Sequence, residues 1–270
     1  MKILFVGDVV ARAGRDALQT HLPVLKEKLK PDVVIVNGEN AAHGVGITPK
    51  HCEEFYSWGA DVITTGNHVW DQREIIPYID RDPKLLRPLN FPEGTMGNGS
   101  YIFQCLNGDK ILVINAMGQV FMDPLENPFR AVGALVDQHR LGRDVDAIFV
   151  DFHAEATSEK IALAHYLDGR VSAVVGTHTH LPTADHHILV GGTAFQSDAG
   201  MTGDFDSVIG VRKDIPIHRF VKRTPSERFV PSDGEATLCG CFIQTNAKGL
   251  ATSIEPVRVG GRLSQALPLG

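Results

Sequence analysis

Short apolar runs alternate with stretches of helical periodicity along most of the chain. Lys2 to Val6 is an apolar run of strand length that stops at Gly7-Asp8. Leu18, Leu22, Leu25 and Leu29 then recur at the spacing of an amphipathic helix that closes before Pro31. The next run, Val33 to Val36, ends at Asn37-Gly38-Glu39-Asn40, and a glycine-bearing loop over Ala41 to Ile47 leads to Thr48-Pro49. A cap residue followed by proline starts a helix, and Gly59 stops it. Asp61 to Thr65 is a third strand, ending at Gly66-Asn67-His68. From Val69 to Gly99 the prolines at 77, 83, 88 and 92 break the pattern, which predicts one short helix and then irregular chain.

Tyr101 to Leu106 and Lys110 to Asn115 flank Asn107-Gly108-Asp109, a hairpin signal. Gly118 to Pro128 carries aromatic and proline residues without periodicity and is expected to be an ordered loop overhanging a site. Ala147 to Phe152 is a buried strand ending at His153-Ala154-Glu155, after which Ser158 is expected to cap a helix through Leu167. Val171 to Val175 is a further strand, running into Gly176-Thr177-His178-Thr179-His180. Ile188 to Val190 and Thr193 to Ser197 continue the strand pattern, and Thr237 to Gln244 pairs with Leu250 to Val259 through Asn246-Ala247-Lys248-Gly249. Strand and helix alternate, so a layered α/β fold is predicted, and the hairpins make its sheets mixed. With no repeat or linker evident, residues 1–270 read as one domain.

Five of these strands end in a polar cluster: Asp8, Glu39-Asn40, Asn67-His68, His153 and His178-Thr179-His180. In open α/β sheets ligands sit outside the carboxyl ends of strands, so residues far apart in sequence can meet there. On extended backbone His178 and His180 point the same way and offer nitrogens to one metal or two. Carboxylates, carboxamides and histidines in this number exceed what one ion needs and suit two neighbouring ions. Each residue alone has a plainer use: Asp8 and Asn67 as turn or cap residues, Asn40 as a loop hydrogen-bonder, His153 as a satisfied buried histidine.

Composition narrows the chemistry. With 270 residues, 43% of them hydrophobic and 21% charged, the chain can bury a sizeable core. A net charge of -6 without a lysine or arginine run excludes a long footprint for duplex nucleic acid but admits a small phosphate ester. Lys2 to Val10 is too short for a membrane span and is broken by Asp8, so a cytoplasmic protein without membrane partners is expected. Cys52, Cys105, Cys239 and Cys241 make no disulfide framework, and buried free thiols are expected. Among His-x-His hydrolases, the metallo-β-lactamase-like pattern needs an Asp-His directly after the pair. Here Leu181-Pro182 follows and Asp185-His186 comes too late.

The order Gly7-Asp8, Gly38-Glu39-Asn40, Gly66-Asn67-His68, His153 and Gly176-Thr177-His178-Thr179-His180 resembles the calcineurin-like metallophosphoesterase superfamily. More narrowly, Gly38-Glu39-Asn40-Ala41-Ala42, Gly66-Asn67-His68-Val69-Trp70-Asp71 and Asp198-Ala199-Gly200-Met201-Thr202-Gly203 look like its YmdB-like branch. The resemblance implies a four-layer α/β/β/α sandwich with mixed sheets and hydrolysis of small phosphodiesters, 2′,3′-cyclic nucleotides first among them. It implies two divalent or mixed-valence ions, iron or manganese with zinc as a third choice, and a homo-oligomer. Asp8, Glu39, Asn40 and His180 would bind one ion, and Glu39, Asn67, His153 and His178 the other. A hydroxide bridging the ions would attack phosphorus while His68 protonates the leaving oxygen.

The sequence departs from the superfamily where Asp8-Val9-Val10 replaces Asp-x-His, where Glu39 replaces the bridging aspartate, and where Val69 follows His68 in place of an acidic residue. Alternatives are a phosphoprotein or phosphomonoester phosphatase and a non-catalytic, metal-stabilised regulatory module. Among less decisive residues, His43 could touch substrate or be an exposed loop histidine, Trp70 and Phe121 could stack on a base although packing is the commoner use of aromatics, and Arg130 could meet a phosphate or lie on a helix surface.

Overall fold

The computed structural model describes residues 1–268. The elements follow in order as β1 (Lys2–Val6), α1 (Ala11–Leu29), β2 (Val33–Asn37), α2 (Pro49–Trp58), β3 (Val62–Thr64), α3 (Ile76–Ile79), β4 (Ser100–Gln104), β5 (Lys110–Met117), α4 (Pro128–Gln138) and β6 (Ala147–His153). The second half runs α5 (Thr157–Leu167), β7 (Ala173–Thr177), β8 (His187–Ile188), β9 (Ala194–Gln196), β10 (Gly203–Asp204), α6 (Asp214–Lys222), β11 (Ala236–Thr245) and β12 (Ala251–Val259). No described helix is long and apolar enough to cross a membrane.

Two mixed sheets result. In the first, β1, β2 and β3 are parallel, and β11 lies antiparallel to β1 and pairs on with β12 and β10. The second has the order β4-β5-β6-β7-β9-β8, parallel from β5 to β9 with an antiparallel strand at each edge.

Strand alternation places each sheet between two apolar layers. Leu4 and Val6 of β1 pack beneath Leu18, Leu22 and Leu25 of α1, whereas Ile3 and Phe5 point the other way, against Ile111 and Phe149 of the second sheet. The Phe5 and Phe149 rings meet across this interface with centroids 5.0 Å apart. On the far face, Ile148, Val150 and Phe152 pack against Val132 and Val136 of α4 and Leu163 of α5. The layers are therefore helix, sheet, sheet, helix, as the resemblance implied.

Local signals held in most places. Thr48 caps α2 by accepting from the His51 amide at 3.3 Å, and Gly59 ends the helix in the left-handed conformation at φ 109°. Ser158 does not cap α5: the helix begins at Thr157 without a side-chain cap, and Ser158 lies in its first turn. Two helices lie outside the predicted elements. Asn127 caps α4 with Pro128 at its first position, and α6 buries Ile215 and Pro216 but turns Phe220 and Val221 outward, so its apolar residues do not fall on a single core face.

Candidate metal centre

The ends of β1, β2, β3, β6 and β7 converge on one side of the sandwich, and the predicted donors meet there. Close packing at the strand ends depends on glycine: a Cβ on Gly66 would fall 2.2 Å from His153 Cδ2, and one on Gly176 would fall 1.8 Å from the Ser197 carbonyl oxygen. Asp8, Glu39 and His153 are each at most 1% exposed.

His153 is the knot. Its Nε2 lies 3.0 Å from Asn67 Oδ1, 3.1 Å from His178 Nδ1 and 3.5 Å from Glu39 Oε1. Its Nδ1 faces Thr177 Oγ1 at 3.0 Å, and that hydroxyl donates to Asp151 Oδ1 at 2.7 Å. The hydroxyl proton is thus committed to Asp151, so His153 Nδ1 carries the hydrogen and Nε2 presents a lone pair. His178 is set the same way: its Nε2 faces Glu155 Oε2 at 3.2 Å, which leaves Nδ1 as the acceptor. Two imidazole lone pairs consequently face each other at 3.1 Å.

A second such confrontation lies nearby. His180 Nδ1 donates to the Ile209 carbonyl at 2.8 Å, and Asn40 Nδ2 donates to the Gly44 carbonyl at 2.9 Å. This leaves His180 Nε2 and Asn40 Oδ1, both acceptors, 3.2 Å apart. Asp8 Oδ1 and Glu39 Oε2 are buried without any hydrogen-bond partner. Each of these arrangements is costly in an interior and is relieved by a cation. Two ligands about 2.1 Å from one ion stand about 3.0–3.4 Å apart, which is the spacing found. Among the described residues, no three His, Cys, Asp or Glu side chains already surround one point. Carboxamides complete the donor set, and the imidazoles rest against one another.

Electrostatics agree with the geometry. Burial, reinforced by the charge of Asp198, pushes the Asp8 carboxyl up to about 7, and burial raises Glu39 well above the carboxylate range. Burial also holds His153, His178 and His180 below the usual imidazole value, in the neutral form that binds metal. A bound cation would reverse the rise at the carboxylates.

His68 is placed differently from the donors. Its backbone amide donates to Glu39 Oε1 at 2.7 Å, while its side-chain Nδ1 pairs with Asp71 Oδ2 at 2.8 Å. Asp71 therefore does what the residue after His68 does elsewhere in the superfamily, and the ring's Nε2 is left for the cavity.

That cavity, of about 620 Å³, is lined by Glu39, Asn40, His68, His153, His178 and His180 and walled on one side by Ile209, Val211, Phe229 and Pro231. A cleft of about 580 Å³ beside α1 holds none of the predicted donors, and its Arg12 and Asp16 pair with each other.

Two expectations need correcting, and the open readings of Trp70, Arg130 and His43 are decided. His178 and His180 do not project as alternate residues of a strand, because β7 ends at Thr177 and both adopt positive φ, 94° and 68°. This left-handed backbone aims them at different partners. The loop over residues 118–128 does not line the cavity; Phe121 is 90% exposed and lies outside it, and residues 209–231 supply the overhang. Trp70 packs edge-on against Phe91, and Arg130 sits in the first turn of α4, neither of them in the cavity wall. His43 does line it.

With the site assembled, the sequence model of the YmdB-like protein family matches residues 4–257. The chain belongs to that family. It is a YmdB-like metallophosphoesterase, and the family implies divalent metal ions. A Bacillus subtilis (strain 168) relative named 2′,3′-cyclic-nucleotide 2′-phosphodiesterase is 49% identical over 243 residues, 90% of each chain. A solved structure of a Thermus thermophilus protein superposes with TM-score 0.90 at 40% identity, covering 97% of this chain and 100% of that one. A structure described as a novel phosphatase of Mycoplasma pneumoniae gives TM-score 0.89 at 37% identity, with coverage of 96% and 93%. These likenesses accord with the sandwich fold and with the enzyme class read from the sequence.

Proposed function

We propose that this chain hydrolyses 2′,3′-cyclic nucleotides at a dinuclear centre, breaking the bond between phosphorus and O2′ to leave a 3′-phosphate. The observation that carries the reading is the set of facing acceptors: His153 against His178, His180 against Asn40, with Asp8 Oδ1 and Glu39 Oε2 buried and unpartnered beside them. These two pairs sit on the donors assigned to two separate ions, with Glu39 common to both sets. Bound there, divalent cations would offset the charge of the phosphate oxygens and lower the pKa of an attacking water. Carboxylate, amide and imidazole donors suit iron or manganese, with zinc also compatible.

The remaining work falls to the chain's own groups. The Asp71 carboxylate accepts from His68 Nδ1–H and stabilises the imidazolium form, whose Nε2–H is the proton offered to the cavity. As the oxygen of a hydroxide, formed by loss of a water proton to solvent, bonds to phosphorus and the P–O2′ bond breaks, the His68 imidazolium gives its Nε2 proton to O2′, so an alcohol leaves and the neutral imidazole remains to be reprotonated from solvent. The B. subtilis relative's name, with its specified 2′ bond, supports this choice of leaving oxygen.

The test is metal content by mass spectrometry on protein purified without added metal, paired with hydrolysis of bis-p-nitrophenyl phosphate, p-nitrophenyl phosphate and adenosine 2′,3′-cyclic phosphate. About two ions per chain and a preference for diesters are the outcome sought. Asp8→Ala and His178→Ala should each lose bound metal. Full retention of two ions by both variants would remove the dinuclear assignment, and preference for the monoester would make the protein a phosphatase.

A further inference from the structure

The cavity has two walls of opposite character, and the donors occupy only one. The other is built from residues 209–211 and 229–231, which are tied together by Ser232 N to Gly210 O at 2.8 Å and Arg212 N to Val230 O at 2.9 Å. Ile209 joins the two walls, since its carbonyl holds His180 Nδ1 while its side chain faces the cavity. This apolar wall therefore stands at a fixed offset from the donors.

Phe229 is its aromatic member. Phe229 lines the cavity and remains 52% exposed, so part of its surface is open to a ligand in the cavity. Its other neighbour is polar: the Arg219 guanidinium lies 3.9 Å from the ring centroid and covers one face. Arg219 is itself pinned, with Nε donating to Ser226 Oγ at 2.6 Å and Nη2 donating to the Glu227 carbonyl at 2.8 Å. An aromatic ring backed by an immobilised guanidinium, open on its remaining side, is a stacking platform.

We propose that Phe229, held by Arg219, is the nucleobase platform of this site. The proposal rests on the cyclic-nucleotide reading above and adds where the base goes and how it is selected. Ile209, Val211 and Pro231, the cavity residues on the two segments that carry Phe229, have no side-chain hydrogen-bond donor or acceptor. Selection at the platform is therefore by stacking area: all four bases are accepted, and purines bind better than pyrimidines.

The test compares wild type, Phe229→Ala and Phe229→Trp on adenosine 2′,3′-cyclic phosphate, cytidine 2′,3′-cyclic phosphate and the base-free methyl riboside 2,3-cyclic phosphate. Base stacking on an aromatic side chain is worth about 1–3 kcal/mol, so Phe229→Ala should raise KM for the adenosine substrate about 5- to 150-fold. The rise for cytidine should be smaller, kcat should hold within about twofold, and the base-free substrate should be unaffected. Phe229→Trp should retain wild-type KM. An equal loss on the base-free substrate, or an unchanged KM for adenosine, would overturn the platform. Failure of the activity reading is distinguishable: wild type would then turn over no cyclic nucleotide. In that event calorimetry with adenosine 3′-monophosphate against ribose 3-phosphate decides. Tighter binding of the nucleotide that disappears in Phe229→Ala supports the platform, and equal binding of the two ligands by wild type sinks it.

Discussion

Replacing Asp71 by asparagine separates proton delivery from metal binding. The Asp71 carboxylate pairs with His68 Nδ1 at 2.8 Å, and the two side chains are 45% and 33% exposed. A hydrogen bond to a charged group is worth about 1.5–3 kcal/mol when shielded, and this exposure sets the lower end, about tenfold in rate. Asparagine keeps the shape but lacks the negative charge that stabilises the proton-donating imidazolium. For a cyclic nucleotide, whose leaving group is a ribose oxygen needing a proton, kcat should fall about tenfold in Asp71→Asn and about 10²- to 10⁴-fold in His68→Ala. For bis-p-nitrophenyl phosphate the leaving p-nitrophenolate is stable unprotonated, so both variants should stay within about threefold of wild type. Asp71→Asn should add nothing further in a His68→Ala background. Steady-state kinetics on the two substrates, with metal content measured on the same preparations, is the assay. Equal losses on both substrates, or loss of metal from either variant, would refute the argument.

Metal removal should affect stability in a pH-dependent way. Asp8 titrates near 7 in the fold against an ordinary 3.8, so its proton favours the native state and the metal-free protein loses that contribution as pH rises from about 4 through 7. Histidines held neutral act oppositely, costing stability as pH falls below about 6.5, and both effects make cation binding stronger at higher pH. Manganese at one fixed concentration, about 100 times its Kd at pH 8, adds about 2.7 kcal/mol per site at that pH, or about 5–11 °C in Tm, and less at pH 5.5 where its Kd is weaker. Equal gains in calorimetric scans at the two pH values would contradict this. Gly66→Ala should drive a methyl into the His153 ring, which has no room to retreat, and destabilise by about 1–3 kcal/mol while emptying the His153 ion site. Full metal content in that variant would show that the ring can move.

Much of the site was legible because the same local pattern repeats: an apolar run, a glycine where backbones or rings approach closely, then a polar residue at the strand end. Such patterns locate Asp8, Glu39, Asn67 and His178 without any tertiary knowledge. What escaped depends on tertiary geometry. Asp71 reaches His68 only because residues 66–71 form a tight turn, with Asp71 N bonded to the His68 carbonyl at 3.0 Å. Asp151 is a lone carboxylate inside the apolar run Ala147–His153, a signal of buried polar use that named no partner. Phe229 belongs to a segment with no local pattern, and its role follows from pairing with residues 210–212. The strand rule failed at His178 because the strand had already ended.

A network of buried hydrogen bonds beneath the donors fixes the strands that carry them. Asp151, on β6 of the second sheet, accepts from Asn37 Nδ2 of β2 at 2.8 Å and from Thr64 Oγ1 of β3 at 2.5 Å, both on the first sheet, and from Thr177 Oγ1 of β7 at 2.7 Å. One buried carboxylate thus ties the two sheets together directly under the candidate ions. The same arrangement recurs one step along: Asp198 receives Lys160 Nζ at 2.9 Å and the Thr179 amide at 3.0 Å, which fixes the backbone between His178 and His180. These bonds use protein groups alone, so the strand ends that carry the donors are held by the fold. A cation bound there would relieve the crowding of its acceptors, and its binding free energy would include that relief. On this logic the ions need not fold the protein, as structural zinc does in small domains. They add several degrees to a structure that already holds its ligands in place, and a metal-free preparation should keep the sandwich intact.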